Sequence, residues 1–112
     1  MVEVKQEFRG KTVLLSLRGE LTVSSRHQLN QLVQELVDGN HVRVIVDLHE
    51  LTLIDSAGVA VLVSLFKKVR PRGGDVKLVR LVNQPREVFV LLSLDRAFPL
   101  FDSLEAAEAA FA

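Results

Sequence analysis

Asp55-Ser56-Ala57-Gly58 lies between an apolar segment ending at Ile54 and a second apolar run that begins at Val59. Placed where a β-segment hands over to a helix, these residues can do two things. Asp and Ser are the side chains best suited to accept hydrogen bonds from the free N–H groups of a first helical turn, so either can be a plain N-cap. The same N–H groups and the positive end of the helix dipole favour an anion, which suits a serine that another molecule must reach. Gly58 argues for the second role. A glycine in the first turn costs roughly 1 kcal/mol relative to alanine, and close approach by another molecule would offset that cost. Ala57 keeps the rim around the hydroxyl small.

Other chemistries fit less well. A serine nucleophile on a strained elbow needs G-x-S-x-G, whereas Ile54 stands two residues before Ser56. The three histidines, His27, His41 and His49, lack metal-site spacing and read as surface or loop residues. The chain has no cysteine, which removes disulfides, thiol catalysis and thiolate metal sites and fits a reducing compartment. Gly73-Gly74 precedes a strand but lacks the Lys-Ser/Thr of a phosphate loop. No cofactor and no metal are expected. The basic stretch Lys67, Lys68, Arg70, Arg72, Lys77 and Arg80 reads first as a solvated face and second as a surface steering an acidic partner. Zero net charge and 5% aromatic content argue against nucleic-acid binding.

The elements around the motif follow from periodicity. With 112 residues, 48% of them hydrophobic, the chain suits one domain, residues 1–112, with a core that needs no staple. The N-terminal stretch does not resemble a secretion signal, and the apolar runs fall short of a membrane span. A small cytoplasmic protein without membrane insertion is expected. "VEVKQEF" and "TVLLSLRG" form a hairpin turning near Gly10. Leu29, Leu32, Val33, Leu36 and Val37 have helical spacing, with Ser25 and Gln28 as capping box and Gly39 as stop. "VRVIVDL" reads as a buried strand. A helix runs from near Ser56 to about Val69, "VKLVRLV" is a strand, Asn83 and Pro85 open a helix, and "FPLF" is a short edge strand. A last helix follows, with Asp102 as cap and Glu105 as its partner. Alternating strands and helices predict an α/β fold with a mixed sheet of four to five strands and about four helices. On the central helix, Val59, Leu62, Val63, Phe66 and Val69 form the expected inward stripe. Val61 and Leu65 are then partly exposed beside Ser56, as a docking face.

"VIVDLHELTLIDSAGVAVLV" resembles the signature of the STAS domain family, in particular of bacterial anti-sigma-factor antagonists. Asp47 matches the strand-end acid of that signature, and Asp55, Ser56 and Gly58 match its core. "LRGELT" (17–22) and "FPLFDSLEAAEAAF" resemble further family segments, so the likeness spans the chain. The resemblance implies a non-enzymatic binding module. An anti-sigma factor that is itself a serine kinase would phosphorylate Ser56. The unmodified form would bind that kinase and free the sigma factor, and a PP2C-type phosphatase would reset the switch. Thr22 stands where many antagonists have aspartate, and Ala57 where some have a second serine. The alternative use of the same fold is a subunit of a lipid-transport ATPase or a larger signalling assembly.

Overall fold

The computed structural model of the protein describes residues 1–111. Strands β1 (Val2–Arg9) and β2 (Thr12–Leu21) pair antiparallel as a hairpin. Strands β3 (Arg43–Ile54), β4 (Asp75–Val79) and β5 (Leu100–Phe101) then add in parallel, giving a five-stranded mixed sheet in the order β1-β2-β3-β4-β5. Helices α1 (Arg26–Asp38), α2 (Ser56–Val69), α3 (Asn83–Leu91) and α4 (Leu104–Phe111) complete the α/β fold. Two single 3₁₀ turns, 70–72 and 94–96, follow α2 and α3.

Side-chain alternation divides the core between the two faces of the sheet. Val13, Leu15, Leu17, Val44, Val46, Val76 and Leu78 point to the face covered by α1 and α2 and join the larger core. Leu14, Ile45 and Val79 point the other way and meet Ala107 of α4, with Phe101, Leu104 and Phe111 around them. Lys77 shares this second face and is buried. Its Nζ lies 3.1 Å from Asp75 Oδ2 and 4.4 Å from the centroid of the Phe111 ring.

Three local expectations change. Ser25 precedes α1 without capping it: its Oγ donates to the Glu20 carbonyl and accepts from the Thr22 N–H, tying the loop together, while Gln28 donates to the Val2 carbonyl. At α4, Ser103 rather than Asp102 receives the first-turn N–H, from Ala106. The buried strand does not end at Asp47. It continues to Ile54, because a register shift against β2 absorbs extra residues and lets Leu51–Ile54 pair with Gly19–Leu21.

The basic stretch disperses. Arg70 lies by Asp75, Arg80 pairs with Asp47, Arg72 donates to the Val37 carbonyl at the end of α1, and Lys68 to Gln34. With Lys77 buried as well, these side chains do not share one face as a single steering patch. Among the described residues, no helix is long and apolar enough to cross a membrane.

Candidate functional site

The end of β3 and the start of α2 bring Asp55, Ser56, Ala57 and Gly58 to one corner, and the β2–α1 loop brings Thr22 and Val23 to meet them. Asp55 is the N-cap: its Oδ1 accepts from the Gly58 N–H at 2.9 Å. Its Oδ2 accepts from the Val23 N–H at 3.0 Å, so one carboxylate fastens the helix start to the neighbouring loop. The Gly58 hydrogen bond, with that from Val23 adding to it against partial desolvation, holds the Asp55 carboxyl below its ordinary pKa. Because Asp55 supplies the cap, the exposed Ser56 at the first helical position is not needed for that task.

Gly58 has a different reason from the one expected. A Cβ there would lie 2.2 Å from the Leu21 carbonyl oxygen and 2.8 Å from Ile54 Cγ1. The glycine makes room for the chain's own β2 end, and this contact seats α2 against the sheet. No visiting molecule is required to explain it.

The expected docking face is also corrected. Val61 and Leu65 are each 1% exposed and belong to the larger core, while Val63 and Phe66 are only partly buried. The physical reason is that α2 is covered on more than one side. It packs on β3 and β4 and also against α1, so its apolar surface extends well beyond a single stripe. Its exposed residues are Ser56, Ala60, Lys67 and Lys68, with Ala57 and Ser64 half-buried beside them. Ala60 and Ser64, with Arg26, His27 and Asn30 of α1, border a groove of about 420 Å³ floored by Val61.

Asp47 is not part of this corner. It lies in the middle of β3 with the parity of Ile45, on the α4 side of the sheet, seven residues and so roughly 20 Å of strand before Ile54. Its carboxylate pairs with Arg80, accepts from the His49 N–H at 3.1 Å, and raises the Arg80 pKa by that pairing. It therefore serves the register shift and the β4 end.

Three residues at the site escaped the sequence reading. Gln84 grips the backbone of Ile54 at both ends, its Oε1 accepting from the N–H at 2.9 Å and its Nε2 donating to the carbonyl at 3.0 Å. This side chain acts as a short extra strand that holds the approach to Asp55 straight. Asn83, with φ of 57°, sets it in place at the head of α3. Val23 and Leu53 are 64% and 38% exposed apolar side chains near the corner. The only hint in the sequence is the position of Leu53 and Val23 beside motif residues. Nothing in it links Gln84 to Ile54. Among the described residues, no three His, Asp or Glu side chains gather as a metal site.

The STAS domain family model matches residues 3–107. A Bordetella bronchiseptica protein named as an anti-sigma factor antagonist, BtrV, is 34% identical over 99 residues, covering 88% of this chain and 85% of the relative. An anti-sigma factor antagonist from Mycobacterium paratuberculosis has a similar fold, with a TM-score of 0.88, 23% identity, and coverage of 98% of this chain and 93% of that one. The Bacillus cell fate determinant SpoIIAA in its phosphorylated form superposes with a TM-score of 0.78 at 20% identity, over 98% of this chain and 100% of that one.

Proposed function

The chain belongs to the STAS domain family and has relatives named as anti-sigma factor antagonists, and on that premise we propose that it binds an anti-sigma factor and is switched by phosphorylation of Ser56. The carrying observation is the division of labour at the helix mouth. Asp55 caps α2, which leaves the neighbouring hydroxyl exposed and free of structural duty. The structural likeness to SpoIIAA, a protein known in a phosphorylated form, supports the same reading.

The partner in this reading is an anti-sigma factor with serine kinase activity. It transfers the γ-phosphoryl group of ATP to Ser56 Oγ, the hydroxyl proton leaves to a base of the kinase or to water, and ADP departs. Before transfer the corner is small and partly apolar: Ala57, Thr22, Val23 and Leu53 can be covered by a partner at little desolvation cost. Val23 and Leu53 replace Val61 and Leu65 as the docking side chains. After transfer the phosphate adds about −1.5 to −2 charges next to Asp55. In a closed interface that charge is desolvated and unpaired, and the complex separates. A PP2C-type phosphatase restores the hydroxyl by hydrolysis of the phosphate ester.

The test compares Ser56→Ala with Ser56→Asp in titration against the cognate anti-sigma factor, alongside thermal melts. Both variants should stay within about 0.5 kcal/mol of wild type in stability, as surface changes do. Ser56→Ala should bind and resist phosphorylation. Ser56→Asp should lose about 30-fold or more in affinity, the equivalent of 2 kcal/mol or above. Equal affinity of all three forms would reduce Ser56 to an ordinary surface residue and end the switch reading.

A further inference from the structure

The groove between α1 and α2 carries charge of one sign. Arg26, His27 and Asn30 form its α1 wall and Ala60 and Ser64 its α2 wall. α2 has no acidic residue and α1 has none before Glu35, so no carboxylate of either helix lines the groove. Arg26 is exposed and takes part in none of the ion pairs among the described residues. Further along the two helices the charge is balanced. Lys68 donates to Gln34 at 3.1 Å, and Gln34 donates to Asp38 at 2.8 Å, so cation, amide and carboxylate form one row. The uncompensated cation is therefore at the end where both helices begin: Arg26 is the first residue of α1, and Ser56 the first of α2. The whole chain has 14 basic and 14 acidic residues, so this groove departs from its average surface.

We propose that the groove receives an acidic segment of the anti-sigma factor, whose carboxylate pairs with Arg26 while His27 and Asn30 supply further hydrogen bonds. The inference rests on the reading that the chain binds an anti-sigma factor, and it names the chemistry of that contact. The charge selects the occupant. A basic segment would meet like charge at Arg26. An apolar one would bury a guanidinium and several polar groups without partners. The small side chains of Ala60 and Ser64 keep the α2 wall low, which leaves room for a chain laid between the helices. The same arrangement couples the groove to Ser56. Ala60 follows Ser56 by four residues, roughly 6 Å along the helix and within the screening length of about 8 Å at physiological salt. A phosphoryl group on Ser56 adds about −1.5 to −2 charges and outweighs the single charge of Arg26. This end of the groove then repels the acidic segment that it held before.

Two titrations test the groove separately from the switch. In the first, the ¹⁵N-labelled full chain is titrated with hexaglutamate at millimolar concentration and low salt, with hexalysine as the control. Amide shifts should concentrate at residues 26–30 and 60–64 with hexaglutamate only, and Arg26→Glu should abolish them. In the second, the cognate anti-sigma factor is titrated with the Ser56→Ala chain, which cannot be phosphorylated at that position, with and without Arg26→Glu. The charge reversal should weaken binding about 10-fold, chiefly through slower association, and should flatten its salt dependence. The fold should be no less stable, because an acid in the first turn of α1 suits the helix dipole. Lys11→Glu, the same reversal at the exposed turn between β1 and β2, should leave the affinity unchanged. An Arg26→Glu chain that binds as tightly as its parent overturns the groove proposal, even where Ser56→Asp weakens binding and so upholds the switch. Conversely, a loss on Arg26→Glu with none on Ser56→Asp supports the groove and removes the switch. An equal loss on Lys11→Glu would reduce the effect to net charge and overturn the proposal. So would larger shifts at the groove with a single-stranded oligothymidine than with hexaglutamate, which would assign it to nucleic acid.

Discussion

The two faces of the sheet are stabilised in different ways. Under α1 and α2 the contacts are almost wholly aliphatic, and α2 is buried deeply enough that Val59, Val61, Leu62, Leu65 and Val69 all lie in the core. Under α4 the apolar cluster is small, and cations complete it: Lys77 lies between Asp75 and the rings of Phe101 and Phe111, while Arg43 stacks on Phe111 and donates to its carbonyl. A helix seated this firmly cannot shift cheaply if its first residue changes charge, so under the proposed switch a modification at Ser56 would be felt at the surface rather than through refolding. The α4 face depends on a buried ion pair, whose value rests on keeping both partners.

The largest effect should come from charging the deep side of α2. Leu65→Glu puts an unpaired carboxylate into the aliphatic core and should cost more than about 4 kcal/mol, enough to remove the cooperative thermal transition. Val63→Glu, at a half-buried position, should cost about 1–2 kcal/mol and still melt cooperatively. The reverse order would mean that α2 is rotated from the placement described.

On the α4 face, Asp75→Ala should cost about 3 kcal/mol in urea denaturation, since it leaves Lys77 buried without its carboxylate. Lys77→Met, which removes the charge but leaves Asp75 with Arg70 and a share of solvent, should cost less, about 1 kcal/mol. If both were neutral, the lysine would have to reach water, and the two faces would be less different than they look.

Gly58→Ala tests how tightly α2 is seated. The new methyl group meets the Leu21 carbonyl and Ile54, and the loss should be about 2–3 kcal/mol. A fully stable Gly58→Ala variant would show that α2 can back away from β2.

The smallest effect concerns Asp55. Its folded pKa is lowered, so its contribution is complete above the unfolded value near 3.9 and is lost as pH falls through the folded value. Asp55→Ala should lower the melting temperature by a few degrees at pH 7. Below about pH 4 the gap to wild type should shrink as the wild-type carboxylate takes up its proton. A gap that widens on acidification would contradict the capping role.

Much of this architecture can be read along the chain. The hairpin at Gly10, the helical spacing from Leu29 to Val37, the start of α2 at Ser56, the turn at Gly73-Gly74 and the edge strand within "FPLF" all appear where periodicity and turn residues put them. These features are local, set by side-chain spacing and backbone preference within a few residues. The motif at 55–58 announces itself for the same reason, since cap, hydroxyl and glycine are consecutive.

Contacts between distant segments could not be read this way. A 3.6-residue period with one covered face puts Val61 and Leu65 outward, and only the packed structure reveals α1 beside α2. Gly58 looked like an opening for a visitor because the Leu21 carbonyl that fills the space is 37 residues earlier in the chain. Asp47 matches the strand-end acid of the STAS signature and so reads as a site residue, yet strand parity turns it to the α4 side of the sheet. Gln84 gave no signal at all, since its two hydrogen bonds exist only once α3 has docked on the end of β3. The amino-acid order alone determines the elements, their succession and the chemistry available at the mouth of α2. Tertiary structure decides which side of each element meets water, because burial depends on every neighbour that packs against it and periodicity records only the residue types along one element.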